Sequence, residues 1–383
     1  MENQLTIGII GAGGFAAFAG KAFCEVAGAR IVSVFDVDHA AAGRLASELG
    51  ASVSADISDL LADTGVALVY IATPPFLHYE QSKAALLAGK HVICEKPAAL
   101  RTTEAEELQA IAGEQGRLYV VNLMQRYNPL YAVVKDIIDH QILGNFLHGF
   151  FENYASDGNL GPSHWFWDEA KSGGIFIEHG VHFFDLFSGW LGEGRLLSSL
   201  QLSRPAMPAG IVDRVQAGIV DRVQAVVLYE DGPVQFYHGF DQPSILDRQE
   251  MRLQFERGDI SLYGWVPVQM KLYALLQSQQ LAALKEIMHH SSMVIAIEGS
   301  PSHKTRGRGK EILYDAVVTI DYGNLQDKQE RYKEMLKRFL RDQWDWIIDP
   351  THRRLITDAN AVGSLRMAEE ATRFGELDKN MMT

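Results

Sequence analysis

The 383-residue chain is poor in cysteine. Its two, Cys24 and Cys94, each fall inside a stretch that reads as buried, so no disulfide framework is expected. Basic charge is also short: 35 Lys and Arg against 48 Asp and Glu leave a formal net charge of -13. That balance speaks against nucleic acid as the main partner, because a polyanion needs a basic footprint. No uninterrupted apolar run reaches the roughly 18 residues that a membrane span needs, so no membrane partner is expected. The amino terminus shows no basic region followed by an apolar run and a cleavage site. Together these lacks predict a cytoplasmic protein, and the length is comfortable for two domains.

What is present begins with an apolar run, Leu5 to Ile10, short enough for a buried parallel strand. It passes directly into Gly11-Ala12-Gly13-Gly14-Phe15-Ala16 and then a helical pattern through Glu25. A G-x-G-x-x-(G/A) turn between strand and helix is a dinucleotide-binding turn. Gly11 permits the tight bend, Gly13 lets the backbone approach a pyrophosphate, and Ala16 lets helix and strand pack closely. Free N–H groups at the helix start face the phosphates. The next strand, Ala29 to Phe35, ends in Asp36, placed to accept hydrogen bonds from the adenosine ribose and to repel a 2′-phosphate. No arginine follows in Val37-Asp38-His39, so NAD is expected over NADP. The plainer alternative makes Asp36 a helix N-cap or turn residue.

Helix and strand patterns alternate through Leu123, which predicts a doubly wound parallel sheet, a Rossmann domain over residues 1–125 in an α/β chain. After the strand Val66 to Ile71, Thr73-Pro74-Pro75 start a rigid turn at the ligand edge of that sheet, with His78 just beyond. The strand His91 to Cys94 runs into Glu95-Lys96-Pro97. A lysine there stands at the carboxyl end of a buried strand, where open α/β sheets bind ligands. Lys96 is therefore the expected meeting point of cofactor and substrate; a surface ion pair with Glu95 is the bland alternative.

From Phe146 the pattern changes to turn-linked strands, which predicts an α+β domain with a mixed or antiparallel sheet over residues 126–383. An irregular stretch, Ser156 to Lys171, carries Trp165, Phe166 and Trp167, and Gly173-Gly174 opens a helical segment, Ile175 to Trp190. Val268 to Met288 reads as an amphipathic helix, Ser302 to Lys310 as a solvated basic loop, and Leu355 to Phe374 as a helix packing back onto the body. An eight-residue segment, Ala209 to Gln216, recurs at once as Ala217 to Gln224. An even insertion preserves strand alternation, so one copy fits the sheet and the other a longer loop.

Within the helical segment, Glu178, His182 and Asp185 fall on one face. A histidine titrating near neutrality suits removal of a hydroxyl proton, and a carboxylate one turn away can orient it. Asp185, furthest along, reads as a structural pair. Two other readings of the face stand beside this one: a zinc site, for which the H-E-x-x-H spacing is missing, and a core histidine with satisfied hydrogen bonds. No metal is expected.

These residues together resemble the Gfo/Idh/MocA family, named for glucose–fructose oxidoreductase and inositol dehydrogenase. The likeness rests on Gly11 to Ala16, Asp36, Ala72-Thr73-Pro74-Pro75 with His78, Ala88 to Val92, Glu95-Lys96-Pro97, Asn122 with Arg126, and Gly173-Gly174 to Asp185. It is close over the first half of the chain and looser afterwards. The resemblance implies a nicotinamide-dependent dehydrogenase acting on a sugar, polyol or similar hydroxylated molecule. It implies a cofactor held by Gly11, Ala12, Gly13, Gly14, Phe15, Asp36, Thr73, Pro74, Pro75, His78, Glu95, Lys96 and Arg126. It implies Lys96 and His182 as catalytic groups, Glu178 as the partner of His182, and Trp165 as a wall of the substrate pocket. It also implies an open-faced second sheet through which a homo-oligomer, dimer or tetramer, assembles. Relatives commonly carry Asp at the position of Glu178, and Trp-Arg where this chain has Trp165-Phe166. The same likeness admits a non-catalytic dinucleotide-binding regulator and an NAD-assisted glycoside-cleaving enzyme.

Overall fold

The structure is a computed structural model that describes residues 4–161, 163–204, 219–288, 293–296, 303–323 and 328–381. It divides into two compact units, and neither is one continuous stretch. The first comprises Met1–Tyr127, Trp165–Asp185 and Tyr332–Glu369; the second comprises Asn128–His164, Leu186–Arg331 and Glu370–Thr383. A single boundary near residue 125 therefore does not describe how the chain packs.

The first unit is built on six strands: β1 (Leu5–Ile10), β2 (Ala29–Phe35), β3 (Ser52–Val53), β4 (Leu68–Ile71), β5 (His91–Cys94) and β6 (Tyr119–Val121). They lie in the order β3-β2-β1-β4-β5-β6, and every neighbouring pair is parallel. Parallel neighbours need crossovers, and the chain supplies helices at Gly14–Cys24, His39–Leu49, Ile57–Ala62, His78–Leu87 and Thr102–Gln115. Helices on both faces leave the strands no wet side, which is why β4 and β6 are buried at every position. Asp38 caps the second helix by accepting from the N–H groups of Ala40 and Ala41, so the capping role falls to Asp38 and leaves Asp36 for another. The strand order reverses between β1 and β4, the place where such sheets take ligands.

Two later segments complete this unit. The carboxylate of Glu369 accepts from the backbone N–H and hydroxyl of Thr102 at 2.9 and 2.5 Å. Asp358 accepts from Gln109, and Arg366 donates to Glu106. A 21-residue helix, Lys328–Ile348, turns Met335, Leu336, Phe339, Leu340 and Trp344 inward at three- and four-residue intervals.

The second unit holds eleven strands: β7 (Phe146–Ser156), β8 (Arg195–Ser203), β9 (Val220–Leu228), β10 (Pro233–Gln242), β11 (Arg248–Phe255), β12 (Gly258–Tyr263), β13 (Gln269–Leu276), β14 (Met293–Ala296), β15 (His303–Gly307), β16 (Lys310–Tyr314) and β17 (Ala316–Gly323). Nine form one sheet in the order β14-β17-β13-β12-β11-β7-β10-β9-β8. Only the central β7–β10 pair is parallel, so the sheet is mixed.

Two expectations fail here. Val268 to Met288 is not one helix but β13 followed by a helix at Ser278–Ile287. Met270, Leu272, Ala274 and Leu276 are buried while Lys271 and Tyr273 face out, a period of two that overrides the helical look of the run. The basic stretch is not a plain loop either. From His303 it forms the hairpin β15–β16, turning at Arg308 and Gly309, whose φ angles of 52° and 72° suit a tight two-residue turn. Ser302 and the first copy of the tandem repeat lie outside the described residues; the second copy enters β9 at Val220.

Candidate functional site

The glycine turn has the geometry its residues demand. Gly11 sits at φ 100°, and a Cβ there would lie 2.6 Å from the carbonyl oxygen of Ala72, so only glycine fits between β1 and β4. At Gly13 and Gly14 a Cβ would meet nothing within 4 Å. The helix Gly14–Cys24 starts at this open floor with no side chain capping it and no acidic residue in its first turn. Its first N–H groups remain available to an anion. Asp36, at the end of β2, accepts from the backbone N–H of Ala12 at 2.6 Å and of Asp38 at 2.8 Å. The carboxylate thus braces the turn and stands beside it with further lone pairs to offer. An uncapped helix start, a floor without side chains and a carboxylate at the neighbouring strand end fit a dinucleotide.

Across the switch point, β4 and β5 deliver a second group of residues. Tyr70 packs its ring edge-on against Phe23 of the first helix, with centroids 5.1 Å apart, and sends its hydroxyl to Glu95 at 2.6 Å. Asn122 donates to the same carboxylate oxygen at 2.8 Å. Burial pushes the Glu95 carboxyl up, and these two hydrogen bonds oppose that. His78 is buried, its ring nitrogens bridging the carbonyl oxygens of Pro97 at 2.7 Å and Thr73 at 2.8 Å. Two acceptors favour a protonated ring; burial outweighs them and pushes its pKa down. This histidine, expected to touch the cofactor, ties the Thr73-Pro74-Pro75 turn to the Lys96-Pro97 segment.

Lys96 leaves the end of β5 and reaches the segment around Glu178. Its ammonium donates to the Glu178 backbone carbonyl at 2.7 Å and to the Glu178 carboxylate. The backbone around Glu178 is wound as one π-turn, Phe176–Gly180, before the ordinary helix Val181–Leu191 begins. Such single turns occur mostly where a side chain has been re-aimed for a task. Gly173 admits the turn: its φ is 75°, and a Cβ would lie 2.7 Å from Ile177. The Glu178 carboxylate, expected to serve His182, is joined to Lys96.

His182 follows on the same segment and is 3% exposed. Burial first, and the nearby positive charge of Lys96 second, hold its pKa well below the ordinary histidine value. The imidazole is therefore neutral at pH 7. Arg126, expected at the cofactor, is paired with Asp185. Its guanidinium donates to both carboxylate oxygens of Asp185, at 2.9 and 2.7 Å, and to the Asp185 carbonyl at 2.9 Å. Asn360 adds a third donor to that carboxylate at 3.2 Å. Trp165 lies half-buried in the short turn Trp165–Trp167, and the following helix, Glu169–Ser172, packs on Pro75–Leu77.

Lys96, Glu178 and His182 thus come together in the first unit, beside the turn that carries Thr73 to Pro75. Arg126 and His78 serve as braces. Tyr70 escaped the sequence reading, although a signal existed: a hydroxyl on a wholly buried strand must find a partner, and Glu95 is the carboxylate beyond the adjoining strand. Among the described residues no group of three or more His, Cys, Asp or Glu is arranged to hold a metal ion. Among them no helix is long and apolar enough to cross a membrane.

Comparison with known proteins matches two successive stretches of the chain. Residues 5–123 match the profile of an oxidoreductase family with an NAD-binding Rossmann fold, and residues 131–261 match the GFO/IDH/MocA C-terminal domain. The scyllo-inositol 2-dehydrogenase (NAD(+)) of Bacillus subtilis is 30% identical over 209 residues, 52% of this chain and 60% of that one. An inositol 2-dehydrogenase of Saccharopolyspora erythraea is 38% identical over 125 residues, 31% of this chain and 36% of that one. The match spans 60% of the length of the first of these relatives and 36% of the second. A levoglucosan dehydrogenase in complex with NADH and L-sorbose superposes with a TM-score of 0.75 at 16% identity, covering 98% of this chain and 97% of that one. A putative myo-inositol dehydrogenase of Sinorhizobium meliloti gives 0.69 at 19% identity, with 98% of each chain covered. At such identities the likeness speaks for the fold.

Proposed function

The chain belongs to the Gfo/Idh/MocA oxidoreductase family, and on that premise we propose that it is an NAD-dependent dehydrogenase acting on a secondary alcohol of a sugar or polyol. The observation that carries this reading is the meeting of Lys96, Glu178 and His182, with His78 tying the Lys96-Pro97 segment to Thr73, against which Gly11 packs. Bound NAD would supply the hydride acceptor. The glycine turn and the start of helix Gly14–Cys24 would hold its phosphates, and Asp36 its adenosine ribose.

The residues divide the remaining work. His182, neutral and desolvated, takes the hydroxyl proton on an imidazole nitrogen as the carbon–hydrogen bond breaks, and the alcohol becomes a carbonyl. The Lys96 ammonium donates a hydrogen bond to the same oxygen and stabilises the charge that gathers there. Glu178 fixes Lys96 from two directions, so the ammonium is aimed before substrate arrives. Trp165 walls the substrate side. The carboxylate of Asp36 disfavours the 2′-phosphate of NADP.

The open face of the nine-stranded sheet exposes Arg252, Lys271, Tyr273 and Asp321, and we take this face as the surface on which copies assemble. Sedimentation of the purified chain tests that part. The catalytic reading is tested by reduction of NAD and NADP with a panel of sugars and polyols, using the parent, Lys96→Ala and His182→Ala. Turnover lost in both variants while NADH still binds supports it. Parent protein that binds NADH but reduces no cofactor with any compound overturns it in favour of a regulator. Sugar release without NADH accumulation overturns it in favour of glycoside cleavage.

A further inference from the structure

Tyr332 stands near the start of helix Lys328–Ile348, more than 300 residues from the glycine turn, yet packs directly on it. Its ring centroid is 5.8 Å from that of Phe15 at an interplanar angle of 45°, and 5.1 Å from that of Phe18 at 67°. Lys333 and Lys337 on the same helix pair with Glu25, which caps the far end of helix Gly14–Cys24. Ion pairs thereby tie the later helix to the first one, and Tyr332 meets Phe15, the residue that follows Gly13 and Gly14.

A second set of groups faces the same tyrosine. Burial first, and the charge of Glu95 second, push its hydroxyl well above the ordinary tyrosine value, and its own charge acts likewise on Tyr70. Tyr332 therefore lies between Phe15, which follows β1, and the Glu95 group, which follows β5. In the order β3-β2-β1-β4-β5-β6, Asp36 at the end of β2 falls on the opposite side of β1. If the adenosine ribose lies at Asp36 and the reacting carbon at Lys96, the dinucleotide crosses the switch point with its nicotinamide half on the β4–β5 side. That is the side on which Tyr332 stands.

We propose that Tyr332, with Phe15, forms an aromatic wall for the nicotinamide half of the bound dinucleotide and has no part in holding the adenosine half. This rests on the dinucleotide reading given above. Tyr332 acts as a positioning residue whose ring area, and not its hydroxyl, matters for affinity.

Equilibrium binding of NADH and of ADP-ribose, followed by fluorescence without substrate, tests it in the parent, Tyr332→Ala and Tyr332→Phe. ADP-ribose keeps the adenosine, both phosphates and the second ribose, and lacks only the nicotinamide. Tyr332→Ala should weaken NADH by about tenfold or more and leave ADP-ribose within about twofold, while Tyr332→Phe keeps NADH within about threefold. Equal weakening of both ligands by Tyr332→Ala, the mark of a merely structural contact, overturns the proposal. So does unchanged NADH binding. A parent that binds neither ligand fails the dinucleotide reading itself, and takes this inference down with it.

Discussion

The ammonium of Lys96 is held by two oxygens of a single residue, Glu178, which lies 82 positions further along the chain. Backbone carbonyl and carboxylate approach it from one π-turn, so its direction is set by main chain as well as side chain. Lys96→Met should lower turnover by on the order of 10²–10³, the usual worth of one donor aimed at an oxygen where negative charge gathers. Glu178→Gln keeps the carbonyl bond and the shape but removes the charge, and should cost less. Steady-state rates beside NADH binding check this. Turnover equal to the parent's in Lys96→Met rejects the catalytic assignment.

Asp36 braces the Ala12 amide and faces the floor of the glycine turn. Asp36→Ser should reduce the preference for NAD over NADP by about tenfold or more, because a fixed negative charge no longer meets the 2′-phosphate. The ratio of the two dissociation constants is the measurement. A ratio unmoved by the substitution shows that the carboxylate serves the turn alone.

Arg126 and Asp185 form a buried pair, with the Asp185 side chain 1% exposed. Burial pushes the Asp185 carboxyl up, and only Arg126 and Asn360 hold its charge in place. Arg126→Met alone leaves that charge unmatched and should cost about 3–5 kcal/mol of stability. The double variant Arg126→Met, Asp185→Leu should recover most of it. Urea midpoints compared at constant slope decide the matter. A single variant as stable as the parent contradicts the coupling.

His238 is fully buried against Phe151 in the second unit, and burial pushes its pKa down to about 3 from 6.5. Below pH 6.5 the unfolded chain takes up a proton that the folded chain refuses. The stability present above that pH is therefore lost as pH falls from 6.5 toward 3, by up to about 1.4 kcal/mol per pH unit. His238→Gln should flatten this part of the stability curve, read from urea melts at pH 6, 5 and 4. An unchanged slope tells against it.

The Rossmann half was legible because its signals are local. Gly11 must be glycine, β1 and β2 are short apolar runs, and the helices between them have ordinary length, so each piece announces itself within about ten residues. Lys96 and His182 were readable as residue types at telling places. Their company was not. Nothing near Glu178 in sequence says that its carboxylate turns to Lys96, because that depends on a π-turn and on a glycine at φ 75°. Nothing near Arg126 in sequence announces its pairing with Asp185, or that Asn360 joins that carboxylate, because both arrive from remote stretches. Residues 269–276 misled for another reason: the apolar strand β13 runs almost directly into a helix, and the two periods blur within one window.

The first unit draws on three separated stretches of chain, and this constrains how such a protein can be altered by recombination. A crossover placed after Tyr127 would carry the dinucleotide turn and the ammonium into a hybrid but leave behind the native imidazole and the helix whose lysines pair with Glu25. Hybrids should therefore inherit residues 165–185 and 332–369 as companions of the amino-terminal third.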